Sequence, residues 1–121
     1  MAIRKVLIVD DSPTDLTNLQ QIITETGREV ITASNGKDAI EKAKNENPDI
    51  IFMDIVMDKM DGYEATRTIT NDSDTKAIPI IFVSSKKQKA DRVWAKMQGG
   101  KDLVSKPYTK DQILDQLKAY E

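Results

Sequence analysis

Short, unbroken apolar runs recur along this chain: Val6 to Val9, Ile50 to Met53, Ile80 to Val83 and a shorter pair at Val30-Ile31. Continuous apolarity at that length suits strands covered on both faces. Leu103-Val104 is placed as a fifth strand because helical patterns flank it. Between the runs, apolar residues return at helical spacing: Leu16, Leu19, Ile22 and Ile23; Ala39, Ile40 and Ala43; Ala65, Thr66 and Ile69; Ala90, Val93, Trp94 and Met97; Ile113, Leu114 and Leu117. Each set draws one apolar stripe along a helix. Trp94 and Met97 lie on the stripe of the fourth helix, and core packing is the expectation for both.

Punctuation agrees with this division. Ser12 before Pro13 reads as an N-cap with proline at the first helical position, and Gly27 and Gly99 sit where helices should stop. Asn35-Gly36 and Asp61-Gly62 are turn or cap pairs, and Asn47-Pro48 ends the second helix. Strand then helix occurs five times. Such alternation with short connections requires a parallel sheet with helices on both faces, because each right-handed crossover lays its helix on the sheet. The prediction is a (βα)5 doubly wound α/β domain. No repeat, low-complexity tract or linker interrupts residues 1–121, and a last helix near Asp111 to Tyr120 closes the fold. One domain without an effector is expected, acting through non-covalent docking.

Composition narrows the chemistry. A chain of 121 residues hides roughly two-thirds of its unfolded surface, enough for one core without disulfides or a structural metal. It has no Cys and no His. That excludes thiol nucleophiles, zinc–thiolate sites and catalysis by Ser-His-Asp or Cys-His arrangements. Carboxylates, Lys, Arg, hydroxyls and backbone amides remain, a set that favours Mg2+ or Ca2+. The opening apolar run is too short for a signal peptide, and no run approaches a membrane span. A soluble, cytoplasmic monomer is expected. With 18 basic and 20 acidic residues the net charge is -2, which argues against nucleic acid as a partner. Asp72-Ser-Asp74 is not a calcium loop of the EF-hand type, because Lys76 and Ala77 stand where such a loop needs an oxygen ligand and Gly.

In an open parallel sheet the functional crevice lies at the carboxyl ends of the strands. The residues there are polar: Asp10-Asp11 after the first strand, Asp54 after the third, Ser84-Ser85 after the fourth and Ser105-Lys106-Pro107 after the fifth. Three carboxylates and one ammonium leave two uncompensated negative charges. Two like charges ~4 Å apart repel by about 4 kcal/mol at an effective dielectric near 20. A divalent cation would cancel that excess. Mg2+ fits because it keeps several waters and needs only one or two direct carboxylates, here Asp11 and Asp54, with Asp10 acting through water. Asp54 also suits the part of nucleophile, since a carboxylate is ionised at neutral pH and needs no general base. Its product with a phosphoryl donor would be an aspartyl phosphate, whose charge Mg2+, Lys106 and the Ser84 hydroxyl would offset.

Leu7-Ile-Val-Asp-Asp-Ser12, Met53-Asp-Ile-Val-Met57 with Asp61-Gly62, Val83-Ser-Ser85 and Lys106-Pro107 resemble the receiver domain of two-component response regulators, over the whole chain. The resemblance implies a flavodoxin-like sheet of order 2-1-3-4-5. It implies that Asp54 takes a phosphoryl group from a phosphohistidine on a sensor histidine kinase or phosphotransfer domain. Asp10 and Asp11 would hold Mg2+ with Asp54 and the Val56 carbonyl, while Ser84 and Lys106 contact the phosphoryl group. A cis bond before Pro107 is implied too, as is a downstream partner docking on the fourth helix, fifth strand and fifth helix. Asp91 to Gly99 and the stretch from Asp54 to Arg67 are also similar to the single-domain receivers of chemosensory systems that control type IV pili and twitching motility.

Four positions depart from or modulate that pattern. Leu103 stands where many receivers carry an aromatic residue that turns inward on activation, and Asp58 stands where many have Pro. Val56 and Lys86 occupy positions that flank the phosphoryl group, and apolar Val56 is expected to slow its hydrolysis. Lys86, Lys87, Lys89, Arg92 and Lys96 make a basic run read as a solvated face, whose charge opposes the dipole of the fourth helix at its start. Three other readings stand beside the signalling receiver. A phosphate sink or scaffold would keep the pocket without sending a signal. A flavodoxin-like cofactor binder would need a Gly- and hydroxyl-rich loop where Asp10 and Asp11 bring negative charge. A phosphatase with an Asp nucleophile would need an acid where Val56 stands. Self-phosphorylation and self-dephosphorylation do not make an enzyme in the turnover sense.

Overall fold

A computed structural model describes residues 2–57, 60–85 and 89–121, the side chains of residues 89 and 90 excepted. The expectations attached to Asp58, Lys86, Lys87 and the side chain of Lys89 lie outside the described residues. Five strands and five helices alternate: β1 (Lys5–Val9), α1 (Pro13–Thr24), β2 (Glu29–Ala33), α2 (Gly36–Glu46), β3 (Ile50–Met53), α3 (Gly62–Asn71), β4 (Ile80–Ser84), α4 (Lys89–Met97), β5 (Asp102–Ser105) and α5 (Lys110–Ala119). The sheet is parallel throughout, in the order β2-β1-β3-β4-β5. This is the predicted (βα)5 doubly wound, flavodoxin-like architecture.

Side chains alternate across each strand and divide the core in two. Leu7, Val9, Ile51, Met53, Ile80, Phe82 and Leu103 face the layer of α2, α3 and α4. Val6, Ile8, Ile50, Phe52, Ile81, Val83 and Val104 face α1 and α5. The three central strands therefore read as unbroken apolar runs, because both faces are covered. β2 is an edge strand and only its last residue is fully buried, which explains its weak signal at Val30-Ile31.

Capping fixes where the helices begin. Ser12, Asn35, Asp61 and Thr109 each accept a hydrogen bond from the backbone amide three residues on, and Pro13 takes the first position of α1. Asn47, at φ 49°, ends α2 in the left-handed region. No helix of the described residues is long and apolar enough to cross a membrane.

The fourth helix corrects the sequence reading. Val93, Trp94 and Met97 are 55%, 49% and 68% exposed, while Ala95 and Gln98 face inward. The reason is close packing at the end of the helix. A Cβ at Gly100 would lie 2.4 Å from the Phe82 ring, so the chain sits tightly over that ring and the inner face of α4 takes small Ala95. Gln98 is held there by the Arg67 guanidinium, which donates to its side-chain oxygen. The bulky stripe is rotated outward as a result. The Tyr63 ring bridges the layers, meeting Phe82 edge-on with ring centroids 5.1 Å apart and Trp94 at 6.4 Å.

Candidate functional site

Ladder hydrogen bonds run one residue past the strand ends and place the acidic residues side by side. The Asp10 amide donates to the Ala33 carbonyl at 3.1 Å, and the Asp54 amide donates to the Val9 carbonyl at 2.9 Å. The side chains are then steered by neighbouring amides: Ser12 donates to Asp10 Oδ1 and Ile55 to Asp54 Oδ1, both at 2.9 Å. One carboxylate oxygen each from Asp10, Asp11 and Asp54 lies within 4.8 Å of the others, the one such triad found among the described residues. Asp10 and Asp54 are buried and Asp11 is exposed, so the cluster opens to solvent on the Asp11 side.

β4 and β5 bring the remaining groups. Ser84 is buried at the end of β4, opposite Ser105, and its carbonyl accepts from the Lys106 amide at 2.7 Å. The Lys106-Pro107 peptide bond is cis, as the resemblance implies. The Lys106 ammonium reaches across the strand ends to Asp10 at 3.0 Å and to Asp15 at 3.0 Å, and lies 3.7 Å from Asp54 Oδ1. The side chain of Val56 projects into solvent two residues beyond Asp54. Leu103 is buried in the core facing α4, so no aromatic ring occupies that position.

The charges in this crevice oppose one another. Burial, reinforced by the neighbouring Asp10 charge, pushes the Asp54 carboxyl up to about 6, against the opposing pull of Lys106 and the Ile55 amide. Burial works against the charge on Lys106, but hydrogen bonds to Asp10 and Asp15 and the charge of Asp54 hold its pKa above the ordinary lysine range. A buried carboxylate this hard to ionise beside two others is a site short of positive charge. Hard oxygen donors of that number suit a magnesium ion.

Two features were missed from sequence. Asp15 lies in the first turn of α1, where the sequence marks it only as an acidic residue following the Ser12 cap. The other is the close backbone approach at Gly62, a residue the sequence marks only as part of a turn or cap pair. A Cβ there would fall 2.0 Å from the Asp54 carbonyl oxygen, so α3 begins with its backbone pressed against the loop that follows Asp54. The Gly62 amide donates to the Ile55 carbonyl at 2.8 Å and fixes that approach.

Comparison with known proteins places this geometry in a family. The model of the response regulator receiver domain matches residues 6–118. Protein PilH of Pseudomonas aeruginosa is 43% identical over 115 residues, covering 95% of each chain. The chemotaxis protein CheY4 of Vibrio cholerae superposes with a TM-score of 0.91 at 28% identity, over 99% of this chain and 100% of that one. The receiver domain of the sensor histidine kinase PA1611 of Pseudomonas aeruginosa superposes with a TM-score of 0.90 at 27% identity, over 98% of each chain, and holds a magnesium ion in its active-site cleft. Receiver domains are signalling proteins and not enzymes that turn over a substrate. The sheet order, the acidic crevice and the match along nearly the full length converge: the chain belongs to the response regulator receiver family, among the chemotaxis-like members that include the pilus subgroup.

Proposed function

We propose that this chain is a stand-alone phospho-accepting response regulator in which Asp54 accepts a phosphoryl group from a histidine kinase or phosphotransfer domain. The observation that carries the proposal is the buried Asp54 carboxylate, ringed by Asp10, Asp11 and Lys106 at the carboxyl edge of the sheet. In this reading Asp10, Asp11, Asp54 and the Val56 carbonyl hold Mg2+. The ion, when bound, would supply the positive charge that the three carboxylates lack. The chain's own residues do the rest: the Ile55 amide orients Asp54, Lys106 meets added negative charge on it, and Ser84 offers a hydroxyl from the next strand. The likeness to PilH supports a role in chemosensory control of pilus-based motility.

Output in this proposal runs through docking on the face formed by α4, β5 and α5. Exposed Val93, Trp94 and Met97 on α4, rimmed by Arg92 and Lys96, give that region the mixed apolar and basic character of a protein contact. Buried Leu103 favours one second reading, a phosphate sink that fills the pocket without moving the docking face. Beryllofluoride, a phosphoryl mimic, added with Mg2+ to 15N-labelled chain separates the two. Signal shifts reaching α4, β5 and α5 and abolished in Asp54→Asn support the regulator. Shifts confined to the pocket leave the sink, and no shifts at all refute both.

A further inference from the structure

The Lys106 ammonium has three N–H donors, and the structure shows where two of them go. Asp10 and Asp15 each stand at 3.0 Å, hydrogen-bond distance for a charge-assisted pair, whereas Asp54 at 3.7 Å lies beyond it. The lysine is therefore tied to the end of β1 and to the first turn of α1. Asp15 is not part of the carboxylate triad. Its backbone is set by the Ser12 cap, whose hydroxyl accepts from the Asp15 amide at 3.3 Å, with Pro13 preceding it in the turn. The two acceptors differ in solvation: the Asp10 side chain is 7% exposed and that of Asp15 is 46% exposed.

We propose that Asp15 is a positioning residue that draws the Lys106 ammonium off Asp54 in the resting site and releases it when Asp54 gains negative charge. The inference rests on the phospho-receiver reading and adds a regulator of its site. A resting lysine shared with Asp15 leaves Asp54 open to a cation. When a phosphoryl group adds acceptor oxygens on Asp54, the ammonium shifts toward them. Asp15 then returns to water at little cost because it is already half solvated, while buried Asp10 keeps its bond. The alternative is that Asp15 is only an acidic residue in the first turn of a helix, where its charge favours the helix dipole and its ion pair contributes little.

The test compares Asp15→Asn and the conservative Asp15→Glu, each in the parent and in Lys106→Met. Without metal, the 15N–1H signal of the Lys106 ammonium is followed by NMR. With metal, the Mg2+ dissociation constant is taken from the shifts of site amides. The expected result is a displaced ammonium signal in Asp15→Asn and a loss of Mg2+ affinity of about three- to fivefold, the scale of an exposed ion pair, as the lysine falls onto Asp54. Asp15→Glu should restore both. In the Lys106→Met background Asp15→Asn should change Mg2+ affinity less than about twofold, since the double-mutant cycle then holds no shared partner. An unmoved ammonium signal, or equal losses in both backgrounds, overturns the proposal. Failure of the receiver reading shows elsewhere, as no adduct on Asp54 whatever residue stands at 15, and the metal-free ammonium signal tests Asp15 in either case.

Discussion

The Lys106 ammonium stands 3.7 Å from Asp54 Oδ1, near enough to share charge and too far to hydrogen-bond. Its field is one of the two influences that hold the Asp54 carboxyl down against burial. Lys106→Met should therefore move the metal-free titration of Asp54 above its present value of about 6. The carboxyl carbon chemical shift of Asp54 followed against pH reads this directly, and a downward shift contradicts the assignment.

Stability should depend on pH through the same group. Burial raises Asp54 from 3.8 to about 6 in the fold. The unfolded chain therefore loses this proton first as pH rises, so the folded state loses relative stability between those two values and stays penalised above them. A shift of that size corresponds to roughly 3 kcal/mol. In the absence of metal, Asp54→Asn should be more stable than the parent at pH 7 by about 2–3 kcal/mol and similar to it near pH 3.5. Urea unfolding with a chelator present measures both, and Mg2+ should narrow the gap at pH 7.

Gly62→Ala should act on the fold and the site together. The added methyl would meet the Asp54 carbonyl at 2.0 Å, and backbone on both sides must give way. A loss of about 1–3 kcal/mol is expected, the usual cost of forcing an extra carbon into a packed position. Amide signals of Asp54 and Ile55 should shift in the folded variant. A variant of parental stability with an undisturbed Ile55 amide would contradict the contact.

Trp94 and Phe82 should respond to truncation by very different amounts. Phe82 is fully buried between Tyr63 and Gly100, so Phe82→Ala is expected to cost about 3–5 kcal/mol. Trp94 is half exposed, and Trp94→Ala should cost less than about 1.5 kcal/mol, the worth of an aromatic pair. Chemical denaturation of the two variants tests the observed orientation of α4 against the buried stripe that its spacing suggests.

The contrast on α4 marks how far the sequence carries. Val6 to Val9, Ile50 to Met53 and Ile80 to Val83 announce their strands because burial on two faces leaves no room for polar residues. The acidic residues after them are legible because strand ends in a parallel sheet converge on one edge. Helical spacing identifies a stripe without saying which way it faces, and on α4 the Phe82 ring and Gly100 decide that from outside the helix. Asp15 was hidden for a similar reason: its meeting with Lys106 spans 91 positions and appears only when β5 ends beside α1.

The most direct test of the account is the intact mass of the purified chain after incubation with acetyl phosphate and Mg2+. A gain of one phosphoryl group, lost in Asp54→Asn and when a chelator removes the metal, is the predicted result. An unchanged mass, or an adduct that persists in Asp54→Asn, would contradict Asp54 as the acceptor.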